Sequence, residues 1–140
     1  MGQRIAKEGD GIGPVIDTHT VVNSVTGATQ PQEFPFNGNF DSSTLESNVK
    51  VNGKPVATIE STVPNLVVHA PPPSYSFKSP PSNLGVITSC NTNVKVNRKN
   101  VAKATDPCST CTEVPQEPTP QVQVRDSTNV RIGTASPGGA

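Results

Sequence analysis

One ten-residue segment occurs twice in this chain. Asn48-Val49-Lys50-Val51-Asn52-Gly53-Lys54-Pro55-Val56-Ala57 returns 45 residues later as Asn93-Val94-Lys95-Val96-Asn97-Arg98-Lys99-Asn100-Val101-Ala102, with eight of ten positions identical. In each copy the second and fourth residues are valine and their neighbours are Asn or Lys, the period-2 signature of a half-buried strand. Asn52-Gly53 is a two-residue turn signal, and Val56-Ala57-Thr58-Ile59 can return as the partner strand. Each copy therefore reads as a β-hairpin. A solenoid needs about three or more consecutive copies, so two separated hairpins suit a small sheet with a pseudo-twofold axis.

Composition supports strands over helices. Valine supplies 18 residues and leucine 3, and β-branched side chains lose χ1 freedom against the preceding turn of a helix. Thr (15), Ser (13), Asn (12), Pro (15) and Gly (11) add turn formers and breakers. Only 31% of the 140 residues are apolar, which is thin against about 1–2 kcal/mol of ordering entropy per residue. An all-β chain with so little to bury needs reinforcement. The 11 basic and 11 acidic residues cancel, which removes the electrostatic footprint of a nucleic-acid binder. The longest apolar run is Leu66-Val67-Val68, far below the roughly 20 residues of a membrane span, so no stable membrane insertion is expected. The first ten residues lack an apolar h-region, so the expectation is cytoplasmic synthesis without a signal peptide.

Along the chain, the glycine-rich residues 1–14 read as a loop feeding a strand over 15–22. Residues 30–38, with Pro31, Pro35 and Asn37-Gly38, read as an extended loop that tucks Phe34, Phe36 and Phe40 inward. Residues 64–85 read as irregular, with Pro71-Pro72-Pro73 favouring polyproline II. Residues 1–112 are expected to form one domain. Residues 113–140 read as a proline-rich linker, a possible third hairpin from 122–125 and 130–132, and a frayed end.

Five residues are soft or borderline metal ligands: His19, His69, Cys90, Cys108 and Cys111. Cys108-Ser109-Thr110-Cys111 is a CxxC whose thiolates can share one ion, and His19 with His69 would complete a tetrahedral zinc shell of two cysteines and two histidines. The CxxC could instead be a redox pair, or Cys90 could form a disulfide with Cys108 or Cys111. Cys90 reads most simply as a small buried hydrophobe. Asp17, two residues from His19 on the same strand face, could orient the imidazole. Four protein ligands leave no position for a reactive water, and no nucleophile motif or phosphate loop is present, so the chain does not read as an enzyme.

The order of motifs resembles a known family. After the first hairpin come Asn65-x-x-x-His69-x-Pro71, then Pro81-Ser82-Asn83-Leu84-Gly85, a Val-Ile-Thr-Ser segment, the second hairpin and Asp106-x-x-x-x-Cys111. Over roughly residues 9–112 this resembles the PAAR and PAAR-like proteins that cap the trimeric spike of contractile injection systems. The resemblance implies a small cone of β-hairpins with long proline-rich loops. Its base would dock on a homotrimeric spike, a structural zinc ion would pin its apex, and effector cargo would be possible. It also implies a location at the tip of an injection particle. The family's usual ligands are three histidines and a cysteine. His19, His69 and Cys111 match three of these, while the remaining histidine falls on Phe34. Cys108 is the natural replacement, which sets the expected shell as His19, His69, Cys108 and Cys111. The eponymous Pro-Ala-Ala-Arg reads Pro55-Val56-Ala57-Thr58 in one hairpin and Asn100-Val101-Ala102-Lys103 in the other. A disulfide-stapled binding or adaptor module is the competing reading.

Overall fold

The protein was analysed as a computed structural model, which describes residues 2–126 and 130–132. The described chain is nearly all β, as its valine-rich, proline-punctuated composition requires. In order, the strands are β1 (Gln3–Arg4), β2 (Gly11–Asn23), β3 (Thr29–Asn39), β4 (Glu46–Val51), β5 (Lys54–Val56), β6 (Thr62–Pro64) and β7 (Tyr75–Phe77). They continue with β8 (Leu84–Ile87), β9 (Lys95–Val96), β10 (Lys99–Asn100), β11 (Cys108–Ser109), β12 (Val122–Gln123) and β13 (Arg131–Ile132). Ser42–Thr44 makes a single 3-10 turn capped by Asp41.

Both repeated segments are hairpins, β4 with β5 and β9 with β10. Their turns need left-handed backbone at both central positions. Asn52 and Gly53 have φ 53° and 74°, and Asn97 and Arg98 have φ 52° and 69°. The symmetry, however, is threefold. Ala6 N–H donates to the Ala102 carbonyl (3.0 Å), Ala102 to Ala57 (2.9 Å), and Ala57 back to Ala6 (3.0 Å). A second cycle follows two residues on: Glu8 to Pro55 (3.0 Å), Ile59 to Asn100 (2.9 Å) and Ala104 to Arg4 (2.8 Å). Residues 6, 57 and 102 are thus equivalent positions around one axis.

The third hairpin joins the two ends of the chain. β13 pairs with β1, Ile132 opposite Gln3 and Arg131 opposite Arg4, in the register that sets Val51 opposite Lys54 and Val96 opposite Lys99. Each hairpin contributes two residues to one apolar cluster: Val51 and Val56, Val96 and Val101, Ile132 and Ile5. After each alanine comes the same tight turn. Lys7 N–H donates to Asp10 Oδ2 (3.0 Å), Thr58 N–H to Ser61 Oγ (2.9 Å) and Lys103 N–H to Asp106 Oδ2 (2.9 Å). In two copies the lysine is buried and pairs with the aspartate, Lys7 at 2.9 Å and Lys103 in a short contact.

Three expectations are corrected here. The pseudo-twofold is a pseudo-threefold. The third hairpin is not 122–125 with 130–132, because β12 pairs with β2 while β13 pairs with β1. Residues 30–38 are strand, not loop: β3 pairs with β2 from Gly11 opposite Asn39 to Val22 opposite Thr29. Prolines 31 and 35 are tolerated because β3 lies at the sheet's edge, where a missing N–H breaks no ladder bond on the open side. Gly38 is needed for a close approach rather than a turn, since a Cβ there would sit 2.1 Å from the Pro64 carbonyl. Residues 113–125 are woven into the same body. Arg125 bonds to the Ile12 carbonyl (3.1 Å) and Asn37 Oδ1 (2.9 Å), and its N–H meets Asp10 Oδ1 (2.8 Å). The expected frayed end over 136–140 lies outside the described residues.

Candidate metal centre

Away from the alanine cycle, the upper half of β2 carries three successive inward positions, Asp17, His19 and Val21, at the period-2 spacing of a strand. Two of the three are polar and almost fully buried, so they need partners. The partners come from two loops. His69 closes the 65–69 loop, with its N–H on Asn83 Oδ1 (2.9 Å) and its Nδ1 beside the Asn65 amide (3.3 Å). Cys111 follows β11 on the turn that leads to Glu113.

Asp17, His19, His69 and Cys111 bring one ligand atom each to within 4.8 Å of one another. His69 Nε2 lies 2.7 Å from Asp17 Oδ2, Cys111 Sγ 3.3 Å from the same oxygen, and Cys111 Sγ 3.4 Å from His19 Nε2. A tetrahedral zinc shell with bonds of about 2.0 Å to N or O and 2.3 Å to S has edges of about 3.3–3.5 Å. Both sulfur edges already match that geometry. The His69–Asp17 edge is a hydrogen bond that an ion would open slightly. Two neutral imidazoles, one carboxylate and one thiolate carry two negative charges, which a divalent cation neutralises in a buried site. The group could hold a metal ion.

The surroundings fix the donors. Asp17 turns its other oxygen to Gln116 Nε2 (2.9 Å) and Thr110 Oγ1. Glu113 Oε2 meets His19 Nδ1 (3.3 Å), the carboxylate–histidine relation that orients a ligating imidazole. Burial works against the Glu113 charge, but hydrogen bonds from Thr20 and His19 outweigh it and hold the carboxyl below its ordinary range. Burial, then Asp17, pushes the ion-free Cys111 thiol up to about 11. A bound cation would remove that proton outright. Phe34 packs against both imidazoles, with centroids 5.9 Å from His19 and 5.1 Å from His69, and Phe77 lies 5.8 Å from His19.

Of the four expected ligands, His19, His69 and Cys111 converge and Cys108 does not. Cys108 lies on β11 opposite Ile87, where strand alternation turns its side chain into the apolar core. Its Sγ donates to the Asp106 carbonyl (3.4 Å), and burial pushes its thiol up to about 12. Asp17 occupies the place assigned to it. The sequence placed Asp17 on the strand face of His19 only as a group that orients the imidazole, and the structure gives that contact to Glu113. Cys90 packs against the same core, its thiol raised to about 12 by burial and then by Asp106, and all three cysteines are free. No family model, curated protein or solved structure matches this chain.

Proposed function

We propose that this protein is a metal-stiffened tip that docks, one copy per trimer, on the threefold end of a homotrimeric β-helical spike of a contractile injection system. The observation that carries the reading is the alanine cycle through residues 6, 57 and 102. An internal threefold frame fits a partner of the same symmetry, because one copy can then meet three identical subunits at once. The three hairpins also expose equivalent valines, Val49 at 41%, Val94 at 46% and Val130 at 43%. Equivalent apolar side chains at equal spacing suit three identical pockets.

The metal group serves a mechanical role in this reading. Zinc is the first choice for a buried shell of one aspartate, two histidines and one cysteine, and four protein donors close the coordination sphere. The ion would tie the middle of β2 to the two loops that carry His69 and Cys111. Effector cargo and export with the particle belong to the same proposal, as does the lack of catalytic activity.

The test is reconstitution with the trimeric spike of the protein's own particle. A stable complex of one chain per trimer is expected, with about one zinc per chain by elemental analysis. Val49→Asp combined with Val94→Asp should abolish the complex while leaving metal content unchanged. Unaltered assembly of that variant would overturn the docking, and a folded, metal-free wild-type chain would overturn the zinc.

A further inference from the structure

Leu66, Val67 and Val68, the longest apolar run in the sequence, are 64%, 74% and 66% exposed. They are not a slack loop. Both flanking residues, Asn65 and His69, are buried. Asn65 donates to the Asn83 carbonyl (2.9 Å) and accepts from Asn37 N–H (3.1 Å). The Leu66 N–H is taken by the Asn37 carbonyl (2.9 Å), and His69 is held by Asn83 and belongs to the candidate metal group. Three aliphatic side chains thus project into water between two anchored residues.

We propose that this loop is a contact site for lipid, inserting shallowly and reversibly into the hydrocarbon edge of a bilayer. Three features favour lipid over protein. First, the seventeen residues Ser61 to Phe77 contain no Asp, Glu, Lys or Arg, in a chain where 16% of residues are charged. A hydrocarbon surface demands that absence, whereas a protein interface carries a polar rim. Second, the exposed side chains are Leu and Val, types under-represented among the residues that dominate protein interfaces, where Trp, Tyr and Arg lead. Third, Pro71-Pro72-Pro73 follows at once. Proline has no N–H, so the segment brings few unpaired donors to a medium that offers no hydrogen bonds. The inference does not depend on the spike-tip reading, since it concerns the isolated chain and a vesicle.

The test uses the full metal-loaded chain with phosphatidylcholine vesicles. The protein has no tryptophan, so Val67→Trp supplies an emission that should shift to the blue on adding vesicles and be quenched by lipids brominated near the headgroup end of the acyl chain. The shift should persist in high salt, because no charge is involved. Replacing Leu66, Val67 and Val68 together by serine should lower vesicle co-sedimentation about tenfold or more, with metal content and unfolding midpoint as checks on the fold. An unshifted tryptophan, or equal co-sedimentation of wild type and triple variant, would overturn the proposal. If the triple variant kept vesicle partition and lost its trimeric partner, the loop would be reassigned to protein docking. Loss of spike assembly in the Val49 and Val94 variants bears only on the earlier reading.

Discussion

The threefold end of this protein and the end that carries its candidate metal group are built by different means. Around Ala6, Ala57 and Ala102 the backbone closes on itself, six valine or isoleucine side chains pack together, and buried lysines meet aspartates. The buried charges of Lys7 and Lys103 are thus matched from within the chain. Around Asp17, His19, His69 and Cys111 the interior is polar and the sheet locally narrows to β7, β2 and β3. The four side chains hydrogen-bond to one another and to Gln116 and Glu113, in an arrangement that could hold a metal ion. One end is closed by contacts from within the chain, and the other gathers a buried group that could hold a metal ion.

Three substitutions would break or sharpen that contrast. The largest effect is expected at the threefold end. Asp106→Ala strands the Lys103 ammonium in the interior and should destabilise the whole fold by about 3–5 kcal/mol, read as a lower midpoint in urea. A loss confined to the β11 region would mean that the three copies unfold separately. Next, Glu113→Gln removes the carboxylate behind His19 and should weaken metal binding by about 10–100-fold in competition with a chelator. The midpoint of the metal-free protein should stay nearly constant. An unchanged metal affinity would remove Glu113 from the site. The smallest effect is Arg98→Gly, which relieves a non-glycine residue at φ 69° and should stabilise by about 1 kcal/mol. A destabilised variant would show that the Arg98 side chain contributes more than its backbone strain costs.

Much of the fold was legible because its carriers are local. The hairpins at 48–57 and 93–102 follow from alternation and turn chemistry, and β2 follows from its run of Val, Ile and Thr. The third hairpin was hidden because its strands lie at opposite ends of the chain, so no constant offset finds it. Only with the axis known do Val130-Arg131-Ile132 align with Val49-Lys50-Val51, and Ile5-Ala6-Lys7 with Val101-Ala102-Lys103. β3 was hidden by its prolines, which read as loop until an edge position admits them.

The candidate site divides in the same way. The ligand chemistry of His19, His69 and Cys111 is readable from residue type. The choice between Cys108 and Asp17 is not, because a CxxC spacing permits convergence without requiring it. The pairing of β11 with β8 turns one sulfur into the core, and the turn after it delivers the other to the metal group.

By itself, then, the sequence determined an all-β body, two hairpins and three of the four converging side chains, since these depend on side-chain type and short-range period. Tertiary structure alone decided the threefold axis, the closing of the ends and the fourth donor. Those depend on which distant strands share hydrogen bonds, and backbone pairing carries almost no signature in the residues that make it.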